Sequence, residues 1–470
     1  MCKNILNVNI PEIATKQLKL QSCDTGRKLV ISTNWLPLFE FEADSKVIEE
    51  LIAPNKGIRI RLANSSDLKP KKVYSREYKS RKNNPLETML DIRSQKLLNQ
   101  AFPRDTVRVH IVFKKGIIEI TPISNKQAEA IKDFKNNKNK LSTFLACSSG
   151  IDAVSLEKSE FKIETLLEYR PHEKRDKNSL CETGALNAIA NVAPKYLINE
   201  DIMNLDIDKI ATLTNSSTHT LFHLSIQCDD FSNVKAKSLK DKSLEDNTST
   251  LDMIIDGINI IQKFNFPTVL IENVKGFATS DIGKMTIARL RRLGYTIHDG
   301  TYDARDYSGV TSRVRYYLFA TKLQSEFIEP IKQERNTVAI WEQYIEPLIA
   351  ENKLRDITNT KSYQDGLKTK RVRLIIRDSI SSPTVLKSQN RQAKDSLFIY
   401  DEVRNKAYFP SNELLVSLMG IEEVNFNCVS GTIESEIVGQ SIEVPLHEAI
   451  LKSVKEHILS ADAQLKGRLF

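Results

Sequence analysis

Apolar and polar positions along this chain follow two rhythms. In the first ~135 residues they alternate in short runs: Lys28-Leu-Val-Ile-Ser32, Trp35-Leu-Pro-Leu-Phe-Glu-Phe41, Gly57-Ile-Arg-Ile-Arg-Leu62, Thr106-Val-Arg-Val-His-Ile-Val-Phe113 and Ile117-Ile-Glu-Ile-Thr121. Such runs predict β-strands, with Lys114-Lys-Gly116 as a hairpin turn. Leu86 to Gln100 has a helical period, and the Lys- and Asn-rich run Lys126 to Lys140 predicts an exit helix and linker. Residues 1–135 therefore read as a separate α+β or mostly β domain.

From Leu141 the pattern becomes α/β. Thr143 to Ala146, Glu164 to Glu168, Leu221 to Ile226 and Thr268 to Ile271 are apolar strand candidates. Helical stretches, notably Thr250 to Phe264 and Lys284 to Leu293, separate them. This alternation predicts a doubly wound, Rossmann-like parallel sheet covered on both faces, with ligand at the carboxyl ends of the strands. Ser232 to Thr250 is polar and basic and predicts a mobile loop. Lys322 to Asp378 loses the rhythm, and beyond it Ser411 to Met419 and Pro445 to Leu459 predict helices.

Candidate chemistry sits at the strand ends. Cys228 follows the buried run His219 to Ile226, Glu272 ends the run Pro267-Thr-Val-Leu-Ile, and Arg313-Val-Arg315 precedes Tyr316-Tyr-Leu-Phe-Ala320. A thiol, an acid and two cations at strand ends suggest one site assembled from distant parts of a sheet.

Composition narrows the class. A chain of 470 residues exceeds one ordinary core and predicts two or three domains. Apolar content of 40% and charged content of 27% are those of a soluble globular protein. No apolar run approaches the ~20 residues that cross a bilayer, and the first residues lack the pattern of a signal peptide, so a cytoplasmic location is expected. The six cysteines form no Cys-x-x-Cys pair and the seven histidines show no metal spacing. Chemistry is therefore expected from side chains and a diffusible cofactor, without metal. The net charge of +8 is unevenly placed: Lys69 to Lys82 carries seven basic residues, two tyrosines and one acid. That composition suits a nucleic-acid backbone, and equally a solvated loop.

Taken together, the motifs resemble the cytosine-C5 DNA methyltransferases over roughly residues 141–457. Gln227-Cys-Asp-Asp-Phe-Ser232 is similar to that family's Pro-Cys-Gln-x-Phe-Ser loop, and Glu272-Asn-Val274 is its Glu-Asn-Val unchanged. Thr311-Ser-Arg-Val-Arg315 corresponds to Gln-x-Arg-x-Arg, and Gly439-Gln-Ser-Ile-Glu-Val-Pro-Leu446 to Gly-Asn-x-Val-Pro-Val-Pro-Leu, preceded by the family-like Phe409 to Gly420. Phe144-Leu-Ala-Cys-Ser-Ser-Gly150 stands where the family has Phe-x-Gly-x-Gly-Gly. Glu168-Tyr-Arg-Pro171 resembles Glu-x-x-Pro, and Asn199-Glu-Asp-Ile202 resembles the Gly-Asp-Ile segment.

The resemblance implies a DNA (cytosine-5)-methyltransferase using S-adenosylmethionine. Cys228 is then the nucleophile at carbon 6 of a flipped cytosine, Glu272 the acid, and Arg313 and Arg315 supporting cations. The cofactor residues it implies are Phe144, Ala146, Gly150, Glu168, Tyr169, Asp201, Ile202, Gln440 and Ser441. It also implies double-stranded DNA as partner, a monomer, and an arrangement of N-terminal basic domain (1–135), catalytic domain (141–321), target-recognition region (322–378) and returning catalytic segment (379–460). An RNA cytosine-5 methyltransferase of the same fold and a non-catalytic DNA-binding regulator are the alternatives. Gln227, Asp229, Thr311, Gln440 and Glu443 depart from the family pattern. Asp229 and Asp230 are expected to raise the thiol's pKa unless a cation compensates.

Overall fold

In the computed structural model, residues 9–24, 26–80, 86–173, 176–232, 235 and 237–467 are described. The chain divides into two units, Met1–Glu129 and Ala130–Phe470.

The first unit is built on two antiparallel sheets. One orders Ile13–Lys19, Arg108–Lys114, Ile117–Ile123, Gly57–Leu62, Lys46–Ala53 and Lys71–Lys72 side by side; the other orders Gln21–Cys23, Gly26–Ser32, Leu86–Ile92 and Tyr74–Glu77. Alternate residues point inward, so Val109, Ile111 and Phe113 meet Ile58, Ile60, Ile118 and Ile120 in a core without solvent exposure. Three expectations change here. Trp35 to Phe41 is not a strand: Pro37–Phe39 form a 3-10 turn, since Pro37 has no N–H for a ladder and Glu40 takes φ 72°. Leu86 to Gln100 is not one helix. Leu86–Ile92 pairs on both sides as a strand, burying Thr88, Leu90 and Ile92, and only Gln95–Ala101 is helical, capped by Ser94. Cross-strand packing overrode the local period. The basic stretch, read as a loop, instead contributes the exposed edge strand Tyr74–Glu77; Arg81 and Lys82 lie outside the described residues.

The second unit carries a seven-stranded sheet of β1 (Ser142–Ala146), β2 (Lys162–Leu167), β3 (Tyr196–Ile198), β4 (Leu221–Leu224), β5 (Thr268–Val274), β6 (Thr296–Asp303) and β7 (Val314–Thr321), in the order β3-β2-β1-β4-β5-β7-β6. β1 to β5 run parallel, while β7 is antiparallel to both β5 and β6. The sheet is thus not wholly parallel, and β6, half-exposed along its length, had no apolar run to announce it. β1 and β4 are buried at every position, which is what a sheet covered on both faces requires. One face packs Phe144, Phe222 and Val269 against α2 (Met253–Phe264) and α3 (Asp281–Arg292). The other packs Leu145, Leu221 and Leu270 against α1 (Ile151–Lys158) and α5 (Val444–Gly467). Between α3 and α5 in sequence lies α4 (Gly431–Gln440).

A second sheet joins β8 (Arg355–Asp356), β9 (Arg373–Ile375), β10 (Leu397–Asp401) and β11 (Lys406–Phe409) in the order β8-β11-β10-β9. The Asp378 boundary falls inside it, because β9 pairs in parallel with β10 from beyond that boundary. The stretch Ser232 to Thr250, expected as a loop, contains the helix Lys237–Glu245.

Candidate active site

The carboxyl ends of β1, β2, β4 and β5 open onto one cleft. It is lined by Cys147 to Ser149, Asp152, Glu168 to Pro171, Glu200 to Met203, Ser225 to Cys228, Glu272, Arg315, Lys387 and Gln440 to Ile442. Cys228 follows β4 after a three-residue extension and is half-buried. Its carbonyl accepts from Phe231 N at 3.0 Å and Ser232 N at 2.9 Å, a turn that fixes the thiol at the cleft. Glu272 lies inside β5 with its carboxylate held by Arg315 Nε at 3.0 Å across the β5–β7 pair. Asn273 Nδ2 donates to Ile226 O at 3.2 Å, tying the glutamate's strand to the chain two residues before the nucleophile.

Burial pushes the Cys228 thiol up; Asp229 and Glu272 add to that, and the Arg315 and Arg313 cations oppose it. Burial likewise raises the Glu272 carboxyl, against the same two arginines. The resting site therefore favours a neutral thiol beside an acid able to carry a proton. Of the two aspartates after the thiol, only Asp229 acts on it. Asp230 turns away and accepts from Lys235 Nζ at 2.5 Å, Thr250 N at 2.8 Å, Ser249 Oγ at 3.1 Å and Ser243 Oγ at 3.2 Å. Burial opposes its charge, yet Lys235 and the Thr250 N–H hold its pKa below the usual range. Asp230 thus anchors the segment after the nucleophile. Lys387 stands 3.9 Å from Asp229 but closer to Glu173, at 2.9 Å, so the cations that oppose the thiol's rise are Arg315 and Arg313.

Arg313 is placed differently from its neighbour. It does not line the cleft: its buried guanidinium donates to Val385 O at 2.9 Å, Gly439 O at 3.2 Å and Ser441 O. Its cation clamps the backbone, and only Arg315 reaches the acid.

At the other end of the cleft lie Glu168, Tyr169, Asp201, Ile202, Gln440 and Ser441. Glu168 is buried, accepts from Ser149 Oγ at 3.3 Å, and is pushed up to about 7 by burial. It has room because residue 184 is glycine: a Cβ there would stand 2.2 Å from Glu168 Oε1. Asp201 accepts from Met203 N at 3.0 Å. Phe144, Ala146 and Gly150 are not in the cleft lining. The Phe144 ring packs edge-on to Phe222, Phe264 and Phe266 at 5.3–6.0 Å, beneath the loop. Ala146 is fully buried. Gly150 adopts φ 112°, and a Cβ there would lie 2.9 Å from Ala188 Cα, so it serves the turn into α1. Of the small residues in this loop, Cys147, Ser148 and Ser149 line the cleft themselves.

Asp152 was missed by the motif reading. It lines the cleft from α1, accepts from Ser225 Oγ at 2.7 Å, and is pushed up to about 7 by burial and by Glu272. Its only sequence signal is an acid two residues after Gly150. Buried carboxyls raised in this way are short of positive charge. That donor set fits a cationic ligand bearing ribose hydroxyls, and S-adenosylmethionine has both; Glu168 and Asp201 would hold its nucleoside end. Among the described residues no group of three or more His, Cys, Asp or Glu side chains stands together as a metal site. No helix among them is long and apolar enough to cross a membrane.

The sheet order and the cleft define a class: an α/β methyltransferase fold, which with its site implies S-adenosylmethionine. Solved structures similar to this chain include a DNMT2 mutant from Spodoptera frugiperda, with a TM-score of 0.50 and 17% identity over 67% of this chain and 99% of that one. The Entamoeba histolytica methyltransferase EhMeth gives 0.49 and 16% over 67% and 98%. A putative DNA modification methyltransferase from an E. coli prophage gives 0.45 and 14% over 68% and 99%. No curated relative matches. The family description C-5 cytosine-specific DNA methylase matches residues 145–456, and the chain belongs to that family.

Proposed function

We propose that this protein methylates carbon 5 of cytosine in double-stranded DNA through a Cys228 adduct at carbon 6. The observation that carries the reading is the convergence of Cys228, Glu272 and Arg315 at one end of a cleft whose other end carries Glu168 and Asp201. The family description, which names DNA, supports the choice of substrate.

In this reading the target base leaves the helix, because its carbon 6 is inaccessible within the stack. Cys228 passes its proton to water as the base settles, and its sulfur adds to carbon 6. Ring electrons move toward N3, where Glu272, whose pKa burial raises, acts in its acid form and gives N3 a proton. Arg315 holds Glu272 in line and compensates its charge once that proton has moved. Carbon 5 is now nucleophilic. S-adenosylmethionine, when bound, supplies an electrophilic methyl group for it. Loss of the carbon 5 proton to water, return of the N3 proton to Glu272 and expulsion of the Cys228 thiolate restore the aromatic ring.

Target reading is proposed for the sheet β8–β11 and its flanks. In Lys368-Thr-Lys-Arg-Val-Arg-Leu374, the side chains of Lys368 and Lys370 are exposed and would meet a phosphate backbone, while exposed Arg371 pairs with Asp395 at 2.8 Å. Arg373 is structural, donating to Asp395 O at 2.7 Å and to Thr384 O.

Sequencing cytosines resistant to chemical conversion, in DNA from cells expressing the protein, tests the activity. They are expected with wild type and absent with Cys228→Ser; persistence in the variant rejects the nucleophile.

A further inference from the structure

Two departures from the family pattern, Thr311 and Glu443, lie far apart in sequence and meet in the interior. Thr311 is 0% and Glu443 1% exposed. Thr311 N donates to Glu443 Oε1 at 3.2 Å, and Thr311 Oγ1 donates to Oε2, so one carboxyl group takes both hydrogens of one residue. Gly309 makes space for it, since a Cβ there would stand 2.2 Å from Oε1. From the opposite side Thr311 bridges Ser382, and Ser312 N donates to Ser382 O at 2.8 Å.

The consequences run in both directions along the chain. Two residues after Thr311, Arg313 clamps the carbonyls of Gly439 and Ser441, four and two residues before Glu443. Two residues further, Arg315 holds Glu272. Gln440 and Ser441 line the donor end of the cleft. A buried carboxyl is retained at such a junction only if its partners are fixed, because leaving it unpaired is costly.

We propose that Thr311 and Glu443 form a positioning pair that locks the arginine strand to the 439–443 segment, and so sets Arg315 on Glu272 and Ser441 at the cleft. For its activity readout the inference rests on the methyltransferase reading. The pair is also pH-sensitive. Burial pushes Glu443 up to about 7, against the Thr311 hydrogens and Arg313. Arg305 and Tyr344 also face it electrostatically. Both arginines are cationic near neutrality and Tyr344 is neutral, its pKa raised by burial, so Glu443 is the group that titrates there. Its ionised form, which accepts both Thr311 hydrogens, fills in as pH rises through about 7.

The test uses the full chain, with Thr311→Ala, Glu443→Ala, the double alanine variant, Glu443→Gln, and Thr311→Gln/Glu443→Pro, which restores the family residues at both positions. Thermal unfolding, S-adenosylmethionine affinity by calorimetry, and methyl transfer to duplex DNA and to RNA are measured. Each alanine variant is expected to lower Tm by a few degrees, and the double variant by no more than the worse single. Glu443→Ala is expected to lower kcat roughly tenfold or more through misplacement of the acid. Glu443→Gln should recover most of that loss and remove an ionisation near pH 7 from the kcat profile. The family-residue pair should be more active than either of its single substitutions. Additive Tm losses would overturn the pairing; coupled Tm losses with kcat and its pH profile unchanged would overturn the positioning role. If the wild type methylates neither nucleic acid, the methyltransferase reading fails instead, and the Tm coupling together with the cofactor affinity still decides the pair.

Discussion

The two ends of the cleft keep the family pattern to different degrees. At the acceptor end, the motif-matching residues Cys228, Glu272 and Arg315 line the cleft, while Arg313 holds backbone behind it. At the donor end the matching residues Glu168, Asp201 and Ile202 also line the cleft, but the glycine motif differs: Phe144, Ala146 and Gly150 are buried outside the lining, and Cys147, Ser148 and Ser149 face the ligand space. The difference follows from what each end must do. Covalent addition and proton sharing need specific groups at fixed positions. A donor without pyrophosphate needs a turn of small residues over a firm aromatic floor, and a serine fulfils that as well as a glycine.

Substitutions at the acceptor end should separate chemistry from donor binding. Cys228→Ser is expected to lower methyl transfer by roughly 10³-fold or more while leaving S-adenosylmethionine affinity within about threefold; a calorimetric titration beside a turnover assay reads both. Glu272→Gln should lower kcat by about 10²- to 10⁴-fold with the same retention of binding. If either variant loses cofactor affinity in proportion to rate, the two ends are not separable.

The donor end breaks in its own way. Phe144→Ala should destabilise the second unit by about 3–5 kcal/mol, because its ring fills a closed aromatic cluster. The fraction still folded at low temperature should bind S-adenosylmethionine normally, and a large affinity loss there would return Phe144 to the binding surface. Glu168→Ala should weaken cofactor binding by about 10- to 100-fold through loss of a charged acceptor. Since burial pushes Glu168 up to about 7, only its ionised form accepts two ribose hydroxyls. Affinity should therefore rise with pH, by about tenfold from pH 6 to pH 8, with a proton released on binding. Glu168→Gln should flatten that dependence; an unchanged slope would move the titration to Asp152.

How far the sequence could be read follows the same division. Strands β1, β2, β4 and β5 were legible because burial on both faces leaves apolar runs. Half-exposed β6 was not, and neither was Leu86–Ile92, whose Leu-Glu-Thr-Met-Leu pattern suits a helix until neighbouring strands claim it. Cys228, Glu272 and Arg315 were legible from their spacing relative to strand ends. Asp152 was not, since only the fold brings its helix under Ser225. The Thr311–Glu443 pairing was equally hidden: each residue alone reads as a lapse from the pattern, and only the fold brings the two into contact. Asp230, expected to burden the thiol, is satisfied by Lys235 and Thr250 from a segment without any apolar signature.

The central claim is tested most directly by covalent trapping. The protein is incubated with S-adenosylmethionine and a duplex DNA library carrying 5-fluorocytosine, in parallel with the matching RNA, and resolved under denaturing conditions. Fluorine at carbon 5 blocks the final elimination, so a denaturation-stable, cofactor-dependent complex with DNA, absent from Cys228→Ser, is predicted. A complex that forms only on RNA, or that survives the loss of Cys228, would contradict the account.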